Sequence, residues 1–340
     1  MNASVTGDPR FSRLFFGAWV TGGWYWGGVD DQESHRALQR ARELGITAID
    51  TAPMYGMGHS EEVIGRFFQK MGLAERDRWF VATKCGLVWD GAQGRDFFEI
   101  PAERSPVGRT LNIKRNLRKQ SILKECEQSL ERLGVETIDL YQIHWPEPEA
   151  GLDEAVEAFR ILKQSGKIRH AGVCNFSVEQ ILEWNGLAPD LELATDQEKF
   201  NLLERKLELG NLPYARKNNL ALLAYGPLSQ GLLAGAFAGE RKLAVADYRS
   251  DAPLFESSYV KKINDRLGRL KNLEEAYSAS LAQLALAWVL ATPGISAALV
   301  GLRTAKQVEE NAGALQIQLS DADYKLMADT FADVPFKGRW

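Results

Sequence analysis

The chain has 340 residues, 45% of them hydrophobic and 25% charged, enough to bury a large core as one α/β barrel or as two ordinary domains. A net charge of −4 and a pI near 5.8 give no footprint for nucleic acid or an anionic membrane, although Arg and Lys crowd residues 104–124, so a small-molecule partner is expected. Cys85, Cys126 and Cys174 lack CxxC spacing, the start carries no apolar signal region and no run of 18 apolar residues occurs, so the expectation is a cytoplasmic protein that does not engage a membrane.

Strand-like and helix-like stretches alternate along the chain, the pattern of a parallel sheet with crossover helices. Residues 13–17 read as a first strand, followed by a helix at 32–44 with Ala37, Leu38, Ala41 and Leu44 on one face and Gly45 as its left-handed stop. A strand at 46–50 leads to a helix that Ser60 is expected to cap, with Glu61 and Glu62 at its positive end and Val63, Ile64, Phe67 and Phe68 facing inward. After a strand at 79–84 comes a helix with Ile122, Leu123, Cys126, Leu130 and Leu133 on one stripe, ended by Gly134 before a strand at 138–143. The same grammar then gives a helix at 152–165, a strand at 168–173, a helix at 178–186, a strand at 193–197 and a helix near 204–217. It ends with a strand at 220–225, helices within 260–292, a strand at 296–300 and a helix at 304–314. Eight strands without a Pro/Gly/Ser-rich linker predict a single-domain (β/α)8 TIM barrel over 1–340. Two stretches, 87–116 and 231–260, are too long and polar for simple turns and read as cofactor or substrate covers at the C-terminal mouth.

Polar residues stand where apolar strand runs end: Asp50 and, five residues on, Tyr55; Lys84; and His144. In a parallel barrel the strand C-terminal ends converge at one mouth, so these four form a candidate catalytic rim. Reducing a carbonyl needs a hydride donor at carbon and an acid for the developing alkoxide. A phenol with a free pKa of about 10 is a poor acid at neutral pH, so Tyr55 needs help. Lys84 is expected to lower its pKa, Asp50 to keep the lysine charged and oriented, and His144 to hydrogen-bond the carbonyl oxygen. His35, His59, His144 and His170 share no metal-ligand spacing, so no metal is expected.

A nicotinamide cofactor would need a site. Residues 56–61, Gly-Met-Gly-His-Ser-Glu, imitate the dinucleotide fingerprint GxGxxG, but they end in Glu and follow the second strand, so they are rejected. Asn175 and Gln197, just past strand five and ending strand six, carry amides suited to a carboxamide, and Tyr225 offers a flat face for the ring. Gly226, Ser229, Gln230 and Gly231 permit close backbone approach to a pyrophosphate. After strand eight, Gly301 and Arg303 open a helix where a phosphate would meet backbone amides and a guanidinium. Thr304 and Gln307 form a capping-box pattern, so Gln307 serves equally as cap or as ligand. Aromatic residues also gather at strand ends. Trp19, Trp24 and Trp26 follow strand one, and Trp89 and Trp145 end others; core packing explains some, while Trp24, Trp26, Trp89 and Trp145 with His144 are candidates to line a substrate pocket.

These residues lie in segments that closely resemble the aldo-keto reductase superfamily over nearly the full length. The segments are Asp-Thr-Ala-x-x-Tyr-Gly at 50–56, Thr-Lys at 83–84, Ser-Leu-x-Arg-Leu-Gly at 129–134, Asp-Leu-Tyr-Gln-Ile-His-Trp-Pro at 139–146, Gly-Val-x-Asn-Phe at 172–176 and Tyr-x-Pro-Leu-x-x-Gly-Leu-Leu at 225–233. The resemblance, strongest to bacterial members, implies a (β/α)8 barrel and NAD(P)H-dependent carbonyl reduction with Asp50, Tyr55, Lys84 and His144 as the tetrad. It implies that Asn175 and Gln197 hold the nicotinamide and Tyr225 stacks on it; Trp19, Asp50, Pro227, Leu228 and Asn311 complete the expected cofactor set. Phe200, Cys174 and Gly301 depart from residues frequent in the family. Gly301 replaces a phosphate-binding Lys of some branches, which leaves that role to Arg303 and, because Arg binds phosphate bidentately, favours NADP(H) over NAD(H). The expected substrate is an aldehyde or ketone, including sugar-derived compounds. The same residues serve a sugar or alcohol dehydrogenase running oxidatively, and some relatives are cofactor-sensing channel subunits. A glycosidase built on Asp196 and Glu198 is disfavoured, because their positions offer no evident acid and nucleophile separation.

Overall fold

The structure is a computed structural model that describes residues 5–23, 26, 28, 30–89, 91–147, 151–237 and 247–338. Strands β1 (Leu14–Gly17), β2 (Ala48–Asp50) and β3 (Phe80–Cys85) are followed by three short strands, β4 (Leu87–Val88), β5 (Arg95–Ile100) and β6 (Leu111–Arg115). Five more then follow: β7 (Ile138–Ile143), β8 (Ile168–Cys174), β9 (Leu193–Lys199), β10 (Ala221–Tyr225) and β11 (Ile295–Gly301). All but β4–β6 pair in parallel and in sequence, and β11 returns to β1 to close an eight-stranded barrel with helices between the strands. No helix among the described residues is long and apolar enough to cross a membrane.

Strand side chains alternate between two faces, so residues two apart share the barrel interior. Phe15, Ala48, Phe80, Ala82, Leu140, Ala221, Leu223, Ala297 and Leu299 form that interior as one apolar cluster. Its floor is closed by Val5 and by Phe11, whose ring meets Phe15 and Phe80 edge-on at 4.9 and 5.4 Å. Continuing the same parity toward the strand C-termini gives Asp50, Lys84, Gln142, Thr195 and Gln197. The interior therefore turns from apolar to polar in one layer, at the mouth. The opposite strand faces pack on the helices in a second, larger core that includes the fully buried Trp79, Trp184 and Trp288.

Several expectations need correction. Ser60 is not a cap: the helix is His59–Met71 with Gly58 at its N-cap, and the buried Ser60 hydroxyl instead donates to the Ala18 carbonyl (2.9 Å) and pairs with Thr51 Oγ1 (2.9 Å). Its position against two strand ends makes it a tie between helix and barrel. The helix expected near 204–217 is broken at Gly210 into a 3-10 turn Lys206–Leu209 and a helix Asn211–Asn218. Residues 87–116 are not a bare loop but the antiparallel sheet β4-β6-β5. A further helix, Asp321–Phe331, lies beyond the eight repeating units; its Tyr324 ring stacks on Trp288 at 5.2 Å.

Because Thr195 and Gln197 face the interior, Asp196 and Glu198 face outward beneath the helix Asn211–Asn218. Asn211 Nδ2 donates to Asp196 Oδ2 (2.8 Å) and to the Phe176 carbonyl (2.7 Å). Burial pushes both carboxyls above the usual range, and Glu198 is raised further by Asp196 beside it. A carboxyl whose native pKa lies above its unfolded value of about 3.9 costs stability as pH rises from there through the native value. Asp196→Asn should therefore raise Tm more at about pH 8 than at about pH 5. Thermal melts across that range check this; an equal change at both ends would show that no proton is taken up on folding here.

Candidate active site

Asp50 ends β2, and Lys84 lies near the end of β3. Residues Asp50 and Ala82 are register partners, so Lys84 stands two residues higher on the same face and its side chain reaches back. Its ammonium has three protons and three acceptors: Asp50 Oδ2 at 2.7 Å, the Thr51 carbonyl at 2.9 Å and Tyr55 Oη at 3.1 Å. Tyr55 accepts from the lysine, so its own O–H proton is directed away from it, toward the mouth. The turn carrying Tyr55 is clamped by backbone packing: a Cβ on Gly22 would lie 2.6 Å from the Tyr55 carbonyl carbon, and one on Gly56 2.4 Å from the Gly22 oxygen. Only glycine fits at both positions. His144, after β7, faces Tyr55 with ring centroids 5.8 Å apart, edge to face. Asp50 and Lys84 are buried, whereas Tyr55 and His144 keep part of their surface accessible. The four expected catalytic residues thus meet, divided into an inner pair and an outer pair.

Electrostatics refine the expected roles. Burial pushes the Tyr55 phenol up; Lys84 pulls it down, but Asp50 pushes it up again, and the result is about 12. Lys84 thus acts in the expected direction, but desolvation and the carboxylate outweigh the ammonium and the net shift is upward. Burial opposes the charge on Lys84 most strongly, yet Asp50 together with Tyr55 and Cys174 outweighs it and the lysine is raised, firmly cationic. Burial, and then Lys84, hold His144 well below the ordinary imidazole value, so it is a neutral ring near pH 7. The rim consequently offers a protonated phenol and a neutral imidazole to one spot, a donor arrangement for a developing oxyanion.

Gln197 Nε2 donates to Asp50 Oδ1 (2.7 Å), so both carboxylate oxygens are engaged, one by lysine and one by amide. Asn175, in a left-handed conformation (φ 60°), donates to the His144 carbonyl (3.0 Å) and accepts from Tyr225 Oη (2.8 Å). Its backbone N–H also bonds the Gln197 carbonyl (3.1 Å). These three residues form one wall running from the tetrad to the Gly226–Gly231 turn, which includes Pro227 and Leu228. Ser229 and Gln230 in that turn are also left-handed (φ 46° and 59°), and the Ser229 Oγ and Gln230 Oε1 atoms are buried without a hydrogen-bond partner among the described residues. After β11 and Gly301, the Arg303 guanidinium donates to the Gly28 and Trp26 carbonyls at 2.7 and 3.4 Å. The Gln307 side chain accepts from the Arg303 N–H (2.8 Å) and its N–H bonds Thr304 Oγ1 (3.2 Å), so here Gln307 caps its helix. Asn311 is buried on the same helix.

Across the mouth, Trp89 and Trp145 pack with Tyr55, Met57, Phe97 and Phe98 against Met54, Leu87, Ile100 and Ile113. The sheet β4-β6-β5 is thus laid over the turn that carries Tyr55. Arg115 fastens it: its guanidinium lies 3.9 Å over the Phe97 ring and donates to the Pro146 carbonyl (3.0 Å). On the other side Trp19 lies 6.2 Å from Tyr55 and 5.1 Å from Trp26, and both Trp19 and Trp26 contact Tyr248 at 6.0 and 5.6 Å. Trp24 lies outside the described residues. Sequence reasoning missed Tyr248, which stands in the polar run 231–260 with no periodic signal. It also missed Gln142, whose side chain accepts from Gln197 and Thr195 at 3.5 and 3.4 Å; sharing the parity of His144, it was readable.

The sequence profile described as the aldo/keto reductase family matches residues 13–330. The aldo-keto reductase YhdN of Bacillus subtilis is 38% identical over 299 residues, covering 88% of this chain and 83% of that protein. The NADH-specific methylglyoxal reductase of Escherichia coli is 34% identical over 95% of this chain and 96% of its own length. Among solved structures, the glycerol dehydrogenase AKR11B4 from Gluconobacter oxydans superposes with a TM-score of 0.81 at 39% identity, covering 96% of this chain and 93% of that one.

The electrostatics set a pH profile. Tyr55 must be protonated to donate, and its pKa is raised to about 12, so donation is lost only as pH rises toward that value. His144 is lowered, so it contributes no ionisation above its ordinary range. For carbonyl reduction, kcat/KM should be flat from about pH 7 to about pH 10. A fall with a midpoint near 8 or 9 would contradict the assignment of the acid.

Proposed function

As the chain belongs to the aldo/keto reductase family, we propose that it reduces the carbonyl of an aldehyde or ketone, sugar-derived and other hydroxylated compounds included, with NADP(H) favoured over NAD(H). The observation that carries this reading is the use of all three Lys84 protons on Asp50, Thr51 and Tyr55, which leaves the Tyr55 proton aimed at the mouth beside a neutral His144. His144 and Tyr55 fix the carbonyl oxygen by hydrogen bonds, and as negative charge develops there Tyr55 gives up its proton. Lys84 stabilises the phenolate that results, and Asp50 keeps the lysine charged. Proton transfer of this kind is typically worth about 10²- to 10⁴-fold.

A bound nicotinamide would supply the hydride. The residues fit such a group: Asn175 and Gln197 would hold its carboxamide, Tyr225 its ring, and the Gly226–Gly231 turn its pyrophosphate. The orphaned Ser229 Oγ and Gln230 Oε1 support this, since buried polar atoms without partners are costly unless a ligand satisfies them. Arg303, at a helix start, would read the 2′-phosphate of NADP(H). One relative is named NADH-specific and a fission-yeast relative is named for NADP(+), so cofactor choice varies among similar proteins. The same residues run in reverse would oxidise an alcohol, a reading favoured by the neighbour named glycerol dehydrogenase. The protonated Tyr55 is the state that reduction uses. The apolar wall under the sheet β4-β6-β5 would sort substrates by their carbonyl substituents, with Trp26, Trp89 and Trp145 against the substrate. The three buried, unpaired cysteines suit a reducing cytoplasm.

Tyr55→Phe should keep cofactor affinity and lose turnover by about 10²-fold or more on a panel of aldehydes and ketosugars. Near-normal turnover would remove Tyr55 as the acid. Arg303→Ala should weaken NADPH binding by roughly 1.5 to 3 kcal/mol, the range for hydrogen bonds to charged groups, and barely change NADH. Equal losses for both would show that Arg303 acts by holding the 26–28 segment rather than by reading the phosphate.

A further inference from the structure

Asp247 and Arg249 form a buried ion pair outside the tetrad, with side-chain exposures of 6% and 8%. Arg249 Nε and Nη2 bond the two carboxylate oxygens at 2.9 and 2.6 Å, a bidentate fork, and Asp247 Oδ1 also accepts the Arg249 N–H (3.1 Å). The remaining arm, Nη1, donates to the carbonyl of Gln230 at 3.2 Å. The guanidinium plane lies among three rings: Trp26 at 4.8 Å, Phe237 at 5.6 Å and Phe255 at 6.0 Å. Asp247 is in turn bridged through its backbone to Trp26. One pair therefore touches both the cofactor-facing turn and the aromatic wall.

Burying an ion pair contributes little net stability, because desolvating two charges offsets their attraction. Its value lies in geometry. Ser229 and Gln230 are consecutive non-glycine residues in the left-handed region, a backbone that costs energy at each and persists only where its surroundings fix it. The bond from Arg249 to the Gln230 carbonyl is such a fixing contact, at the second of the two strained residues.

We propose that the Asp247–Arg249 pair is a clasp: it holds the Gly226–Gly231 turn in the form that grips the cofactor, ties that turn to Trp26, and so sets the rate at which cofactor leaves. Arg249 is a positioning residue and takes no part in the proton transfer. The inference rests on the assignment of that turn to the cofactor.

The test uses the full chain and NADPH as probe, with release followed by stopped-flow tryptophan fluorescence in the wild type, Arg249→Met, Asp247→Asn, the double variant and Arg249→Lys. The clasp predicts release about 10-fold faster or more in each single variant and no further increase in the double, because each residue acts through the other. Arg249→Lys, which retains a charge but not the fork, falls between. The single-turnover rate with cofactor already bound stays within about twofold of wild type, since the pair lies off the path of the proton. Release unchanged within about twofold in folded variants overturns the clasp, as does loss of cooperative folding in Asp247→Asn and Arg249→Lys, which would make the pair a structural requirement. If the wild type binds neither NADPH nor NADH, the cofactor assignment itself fails.

Discussion

One buried charge organises the mouth of this barrel. Lys84 is enclosed by protein, and an ammonium in that position is tolerated only with its protons satisfied and a counter-charge in contact. Asp50 supplies the counter-charge and one of the three acceptors, from the neighbouring strand, and the two-residue offset between Asp50 and Lys84 in the β2–β3 register corresponds to about 6.6 Å along the strand, within reach of a lysine stem. The third proton has one place to go, the Tyr55 oxygen. Strand pairing, the length of one side chain and the valence of an ammonium together decide which way a phenol proton points. The barrel below serves this arrangement by keeping its interior apolar up to that layer and polar from it onward.

The site is also divided by accessibility in a way that matches its chemistry. The residues that set charge, Asp50 and Lys84, are sealed, while the residues that would meet a carbonyl, Tyr55 and His144, open to the mouth. Sealing the pair strengthens its field on the phenol, because charge interactions grow as the dielectric falls. It also raises the cost of ionising Tyr55, and the balance comes out on the side of the neutral acid. The apolar sheet laid over Tyr55 on one flank and the Trp19, Trp26 and Tyr248 cluster on the other extend the same principle outward.

Much of this was legible in the sequence because strands have period two. Phe80, Ala82 and Lys84, or Leu140, Gln142 and His144, turn from apolar to polar toward the strand end, and a parallel barrel gathers such ends at one face. Three strand ends therefore mark Asp50, Lys84 and His144, with Tyr55 five residues past the first, as the candidate rim without a structure. Quantities that depend on what lies around a group were not legible. The direction of the Tyr55 shift required the depth of its burial and the distance of Asp50. Ser60 looked like a cap because local spacing cannot reveal that Ala18 and Thr51, from two other strand ends, compete for its hydroxyl. The strands of the sheet β4-β6-β5 do not show in the sequence of 87–116, because a register irregularity between Asp96 and Phe98 interrupts the alternation that marks a strand. Asp247, Tyr248 and Arg249 sit in a polar run whose partners are distant in sequence, so nothing local announced them.

The enclosed Lys84–Asp50 pair leaves Tyr55 a neutral acid rather than a phenolate. The most direct measurement is an NMR titration of tyrosine labelled with ¹³C at Cζ, with the Tyr55 resonance assigned by its absence in Tyr55→Phe. This resonance should keep its protonated shift beyond about pH 10, the value at which a free phenol is half ionised. A Tyr55 resonance that titrates with a midpoint below about 9 would contradict it, and would mean that the ammonium, not burial and the carboxylate, governs the acid.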